Sequence, residues 1–173
     1  MNKIRTRINE KTIMNTSIER HPVPVLGINY KVRITYKNVK FVQVDVEEKL
    51  INISLPNKYK KVSNVEILDL AINKLYEQVA STEIERAMEK TRIMLGFAPE
   101  EYEIEKMKML GKCEDGKITI NPEIVKYSRK LIDYVVLHQY CHLKFKTHAK
   151  GFYELLKQYE PNYKKYENIL KVL

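Results

Sequence analysis

The stretch "YVVLHQYCHLKFKTHAKGFYELL", residues 134–156, holds three of the four histidines in the chain. His138 and His142 stand four apart. On an α-helix that spacing sets two side chains about 40° apart in angle and about 6 Å apart along the axis. Leu131, Tyr134, Val135, Cys141 and Phe145 recur on the same side, so the pattern predicts a helix over 130–146 with both histidines on its inward stripe. Two imidazoles so placed can chelate one metal ion, and a zinc centre with an open position takes a third protein ligand. His148 lies too far along for the same helical turn. Residues 145–148 can nevertheless leave the helix and bend back to the metal, with Thr147 capping the helix that follows. Glu154 and Glu160 are the alternative third ligands, but His148 is preferred because it needs only a turn. Cys141 falls about 100° from His142 and reads as a small apolar packing residue.

Upstream, the periodicity is that of strands. Tyr30, Val32, Ile34 and Tyr36 alternate with polar residues; Phe41, Val42, Val44 and Val46 continue after a turn; "LINISLP" makes a third strand closed by Pro56. We read these three as an antiparallel β-meander with one wet face. A long helix follows, with Ser63 and Glu66 in capping-box positions and Ile67, Leu68, Ala71, Leu75, Val79 and Ile84 at helical spacing. "GFAP" stops it at Gly96. Tyr102, Ile104 and Lys106 alternate again. "EDGK", residues 114–117, is a hairpin turn, and Asn121 with Pro122 ends the second strand and starts a short helix. Helices resume through Phe152, Leu155 and Leu156 and again after Pro161. Strands first and helices last give an α+β class. The whole chain, 1–173, reads as a single domain, with residues 1–22 a loose lead-in or a first strand.

Length and composition suit a globular protein: 44% of residues are hydrophobic and 31% charged. No apolar run approaches the length of a bilayer span, and the polar N-terminus has no secretory pattern, so we expect no membrane partner and a cytoplasmic location. Two cysteines, Cys113 and Cys141, make no disulfide framework. The net charge of +9 raises nucleic acid as a partner, but the lysines are spread along the chain rather than gathered on one helix face, which ranks that reading last. Lys144, Lys146 and Lys150 flank the histidines and would favour an anionic substrate if they lined a cleft. His21 is given no role.

With these residues in view, "LGINYKV" (26–32), "IDYVVLHQYCHLKFKTHAKGFYELL" (132–156) and "EPNY" (160–163) resemble the YgjP-like metal-dependent hydrolases, relatives of the SprT and gluzincin-type zinc metallopeptidases. The likeness runs from about Val25 to the C-terminus. It implies a zincin-like fold in which a small sheet flanks the active-site helix, and zinc held by His138, His142 and His148. Two departures stand out. Gln139 occupies the position where the family carries the glutamate that acts as general base. The family's tryptophan-glycine-serine-cysteine segment appears here as "LGKC" (110–113), with Leu110 and Lys112 as replacements. A neutral amide can hydrogen-bond a water but cannot take its proton.

Three functions follow. The first is a zinc-binding metallohydrolase domain whose activity is weak or lost because Gln139 sits in the base position. Its substrate class is a peptide, or alternatively a nucleoside triphosphate, as for family members described as pyrophosphatases. Tyr134, Tyr140 and Tyr153 are possible transition-state donors, Tyr153 the first among them because it closely follows the third ligand. The second is a catalytically dead binding module pinned by the same metal. The third is a nucleic-acid-binding domain driven by charge alone.

Overall fold

The computed structural model describes residues 22–61 and 64–171, so the expected lead-in, His21 and the Ser63 cap lie outside the described residues. Its class is α+β, in the expected order of strands, long helix, hairpin and C-terminal helices. The described residues divide into two compact units, one built from residues 22–23 and 30–71 and the other from Pro24–Asn29 with residues 72–171.

Strands β1 (Val23–Val25), β2 (Ile28–Lys37), β3 (Gln43–Glu47) and β4 (Leu50–Pro56) form a sheet in the order β1-β2-β4-β3. This corrects the meander. β4 lies between β2 and β3, paired parallel to β2 (Ile34 opposite Ile53) and antiparallel to β3 (Val44 opposite Ile53). Burial explains the order. Ile51, Ile53 and Leu55 of β4 are at most 1% exposed, so this strand takes the central place, whereas β3 is mostly exposed and forms an edge. A tight turn through Glu48, at φ 48°, folds β4 back against β3. Phe41 is not part of a strand and is 78% exposed. Ile34 joins the β4 residues in the apolar core of this unit, together with Ile67, Leu68 and Ala71 from the start of the long helix α1 (Asn64–Leu95).

α1 is unbroken and ends where Gly96 adopts φ +75° and donates to the Arg92 carbonyl, a left-handed stop that a residue with a side chain enters at a cost. In the second unit its inward row is Leu75, Ala80, Ile84, Ala87 and Met88. A second sheet follows: β5 (Glu101–Ile104), β6 (Gly111–Glu114) and β7 (Lys117–Ile120), in the order β5-β7-β6. The EDGK turn makes β6 and β7 antiparallel neighbours, as its residues require, with φ 48° at Asp115 and φ 81° at Gly116. β5 pairs parallel to β7 and leaves Lys106 outside the strand, its ammonium on Asn73 at 3.0 Å.

The histidine helix α2 spans Arg129–Lys144, and α3 (Lys150–Tyr159) and α4 (Tyr163–Lys171) complete the unit. α2 is buried on more than one stripe: Ile132, Val136, Leu137 and Tyr140 are as hidden as the predicted Leu131, Tyr134 and Val135. It is tied to α1 by polar bonds as well as by packing. Tyr140 donates its hydroxyl proton to the Met88 carbonyl at 3.1 Å, Asp133 accepts from Arg86 and Lys90 at 2.6 Å each, and Glu83 accepts from Arg129 at 2.6 Å.

Candidate metal centre

α2 stops at Phe145, whose N–H still bonds the Cys141 carbonyl. The chain then turns sharply through residues 146–149 into α3. The expected Thr147 cap is not formed. Ala149 holds the N-cap position without a side-chain bond, while its N–H bonds the Thr147 carbonyl at 2.8 Å, so the Thr147 backbone rather than its hydroxyl shapes the turn. Gly151 permits the reversal, because a Cβ there would lie 2.7 Å from the Phe145 ring.

The reversal brings the three histidines together. Nε2 of His138 lies 3.2 Å from Nε2 of His142 and 3.1 Å from Nε2 of His148, and the last two are 3.1 Å apart. Three such contacts cannot all be hydrogen bonds. Each ring nitrogen is either a donor or an acceptor, and a closed triangle always leaves one like-with-like pair. His142 shows which form it takes: its Nδ1 is 3.0 Å from the Phe145 carbonyl, which only accepts, so Nδ1 carries the proton and Nε2 presents a bare lone pair to the centre. A single cation would satisfy all three lone pairs. Around tetrahedral zinc, with Zn–N about 2.0–2.1 Å, neighbouring ligand atoms lie about 3.3–3.4 Å apart. The observed triangle is within a few tenths of that. The donor set therefore fits a tetrahedral ion with one position left open. Among the described residues this trio is the cluster that could hold a metal. Glu154 instead faces Lys150 at 3.7 Å, and Glu160 accepts from the Asn162 N–H.

The electrostatics favour neutral ligands. Burial, then the charges of His142 and His148, lowers the His138 pKa to about 3. Burial also lowers that of His142, against the Phe145 carbonyl, which raises it. Both shifts favour the uncharged ring, which keeps one N–H and one bare lone pair, the form that metal ligation demands. His148 is the exposed member and opens the cluster to solvent.

Sequence reasoning missed the platform beneath the trio. Phe152 is fully buried, and its ring centroid lies 4.9 Å from that of His138, 4.7 Å from His142 and 4.6 Å from His148. Its place four residues after His148, across the first turn of α3, is the signal that could have found it. Tyr134 is buried, stacks on Tyr166 and holds its hydroxyl 3.5 Å from Nδ1 of His138. The ring of Tyr153 stands 6.1 Å from that of His148, but its hydroxyl faces Glu167, whose charge and hydrogen bond, after burial, raise its pKa. Tyr140 is engaged with Met88.

His138 and Gln139 open onto a cleft of about 500 Å3. Gln139 is only 7% exposed and packs against β6, where a Cβ on Gly111 would lie 3.0 Å from its Nε2 and 3.1 Å from Cγ1 of Val135. The flanking lysines do not line this cleft. Lys144 lies over the Phe97 ring at 4.2 Å and Lys150 faces Glu154, so they lend no support to an anionic substrate. A larger hollow, about 660 Å3 between α1 and residues 98–102, contains none of the histidines. Cys113 and Cys141 are free, and burial raises both thiols, Cys141 to about 12. No helix among the described residues is long and apolar enough to cross a membrane.

Comparison with known proteins adds a family to this geometry. No curated protein matches the chain. Two solved structures are similar over about half of it. One is the metallopeptidase zymogen abylysin of Pyrococcus abyssi, 23% identical with a TM-score of 0.46, over 52% of this chain and 94% of its own. The other is the metallopeptidase zymogen jannalysin of Methanocaldococcus jannaschii, 19% identical with a TM-score of 0.45, over 53% and 90%. The family described as "YgjP-like, metallopeptidase domain" matches residues 1–172, nearly the full length, and the chain belongs to that family.

Proposed function

We propose that this chain is a zinc-binding domain of metallopeptidase type, in which His138, His142 and His148 hold the ion and Gln139 stands in the position of the general base. The family implies a catalytic metal ion, and the trio is a group that could hold one. The observation that carries the reading is the triangle of Nε2 atoms at 3.1–3.2 Å, with the tautomer of His142 set by the Phe145 carbonyl. Nitrogen-only donors at this spacing suit zinc better than the oxygen-seeking calcium or magnesium. A bound zinc ion would supply Lewis-acid polarisation of a substrate oxygen and a lowered water pKa.

What the chain's own groups do follows from their chemistry. The three imidazoles bind the ion, Phe152 fixes their ring planes, and the Phe145 carbonyl keeps the His142 lone pair turned inward. Gln139 can donate or accept a hydrogen bond at the edge of the cleft but cannot take a proton at neutral pH. We therefore assign weak or no turnover to this chain, with metal binding intact.

Metal analysis of the purified chain beside His148→Ala tests the centre. One zinc per chain is expected in the parent, with affinity reduced at least 100-fold in the variant. Full occupancy of the variant under chelator competition would remove His148 from the ligand set.

A further inference from the structure

The cleft beside the histidines has a second wall that the catalytic reading does not use. Residues 107–110 cross from β5 to β6 without regular structure, yet they are held in place. Asn121, only 4% exposed, grips them from below: its Nδ2 donates to the Met107 carbonyl at 2.5 Å and the Met109 carbonyl at 3.3 Å, and its backbone N–H donates to Leu110 at 3.0 Å. The same side chain's Oδ1 accepts from the Glu123 N–H at 3.0 Å, capping the 3-10 turn Pro122–Lys126. One buried amide thus ties the wall to the turn that precedes the histidine helix.

The clamped segment presents Met107, Met109 and Leu110 to the cleft, facing Val135 and Leu170. Met109 is 56% exposed, a large apolar side chain in water at the mouth of the site. Thioethers are pliant and fit varied apolar shapes. The charge of the cleft is also telling. In a chain of net charge +9, its charged lining side chains are one cation, Lys108, and one anion, Glu123, the latter bonded to Lys126 at 2.6 Å. A triphosphate carries several negative charges and would call for clustered cations. An apolar side chain calls for what is there.

We propose that residues 107–110, positioned by Asn121, form a specificity wall that takes a bulky uncharged side chain of a peptide lying beside the histidines. This rests on the metallopeptidase-type reading above and adds a preference to it. Asn121 is a positioning residue: it touches the wall, not the substrate.

The test uses the zinc-loaded full chain, whose Gln139 should let peptides bind uncleaved. Fluorescein-labelled hexapeptides that differ only in a central Leu, Phe, Asp or Lys are titrated by anisotropy, beside a labelled nucleoside triphosphate. Leu and Phe peptides are expected to bind at least tenfold more tightly than Asp and Lys peptides. Met109→Glu, at an exposed position that leaves the fold intact, should cut that ratio to about threefold or less with zinc content unchanged. Asn121→Asp keeps the acceptor for Glu123 but loses both donors to the wall. It should reduce the same ratio, whereas a residue that only supported the fold would weaken all four peptides together. Equal binding of all four peptides by the parent would overturn the specificity wall and leave the peptide reading standing. Binding of the triphosphate with no peptide bound, or no peptide bound at all, would overturn both.

Discussion

Placing a carboxylate at position 139 tests the proposed base position separately from the proposed metal ligands, and its outcome can be sized in advance. Gln139 is 7% exposed and packed against Gly111, so any change of shape would be felt. Glutamate is nearly isosteric with glutamine and needs no new space. The exchange therefore alters proton chemistry more than packing. General-base assistance is worth about 10²–10⁴ in rate, which corresponds to about 2.7–5.5 kcal/mol of barrier. The assay is zinc-loaded Gln139→Glu against the parent, on parallel panels of peptides and nucleoside triphosphates, with His148→Ala in the Gln139→Glu background as the control for contaminating hydrolase. We expect kcat/KM to rise at least 100-fold in Gln139→Glu and to vanish in the double variant. Parent activity equal to that of Gln139→Glu would show that another group takes the proton. A fully zinc-loaded Gln139→Glu without activity on either panel would refute the assignment of position 139 to the base.

Three further outcomes follow from the packing and charges. Phe152→Ala removes the ring beneath all three histidines; loss of a fully buried phenylalanine costs about 3–5 kcal/mol, readable by urea unfolding of the metal-free chain, and a loss below about 1 kcal/mol would deny Phe152 its place in the core. Gly111→Ala, which in an ordinary strand would gain about 0.5–1 kcal/mol, should here destabilise, since the new methyl meets Gln139 and Val135 at 3.0–3.1 Å; a gain in urea midpoint would contradict the close approach. Glu83 has its pKa lowered chiefly by the Arg129 hydrogen bond and further by Arg86, against burial. A lowered folded pKa gives stability that is full above the unfolded carboxylate range and is lost as pH falls through the folded value. Urea midpoints should therefore drop below about pH 4.3, and Glu83→Gln should flatten that part of the profile.

The sequence makes some parts of this molecule legible because their causes are local. The α2 helix, its two histidines and the EDGK hairpin each rest on residues a few positions apart, and each is found where its pattern puts it. The position of His148 needed only a turn, and the turn is there, although the backbone and Gly151 build it where Thr147 was expected to. The sheet order was not legible. β3 follows β2 in the chain, but the burial of Ile51, Ile53 and Leu55 puts β4 between them, and burial is a property of the whole unit rather than of neighbouring residues. Asn121 was equally hidden, since its partners Met107 and Met109 stand 14 and 12 residues away and are reached through main-chain carbonyls that carry no residue signature.

The same distinction bears on what a change of the side chain at position 139 can disturb. The groups that place the imidazoles are Phe152 from α3, the Phe145 carbonyl at the end of α2 and the Gly151 reversal, and none of them is in the 139 side chain. On α2, Gln139 is one residue from His138 and so turned about 100° around the axis, toward β6 rather than toward Phe152. Its shape matters to the β6 contact, and its charge would matter to a proton, but the histidine triangle does not depend on either. On the proposed reading, metal holding and turnover would be set by different parts of the fold. A chain could lose the second by a single exchange of oxygen for an amide nitrogen and keep the first in full, together with the cleft beside it.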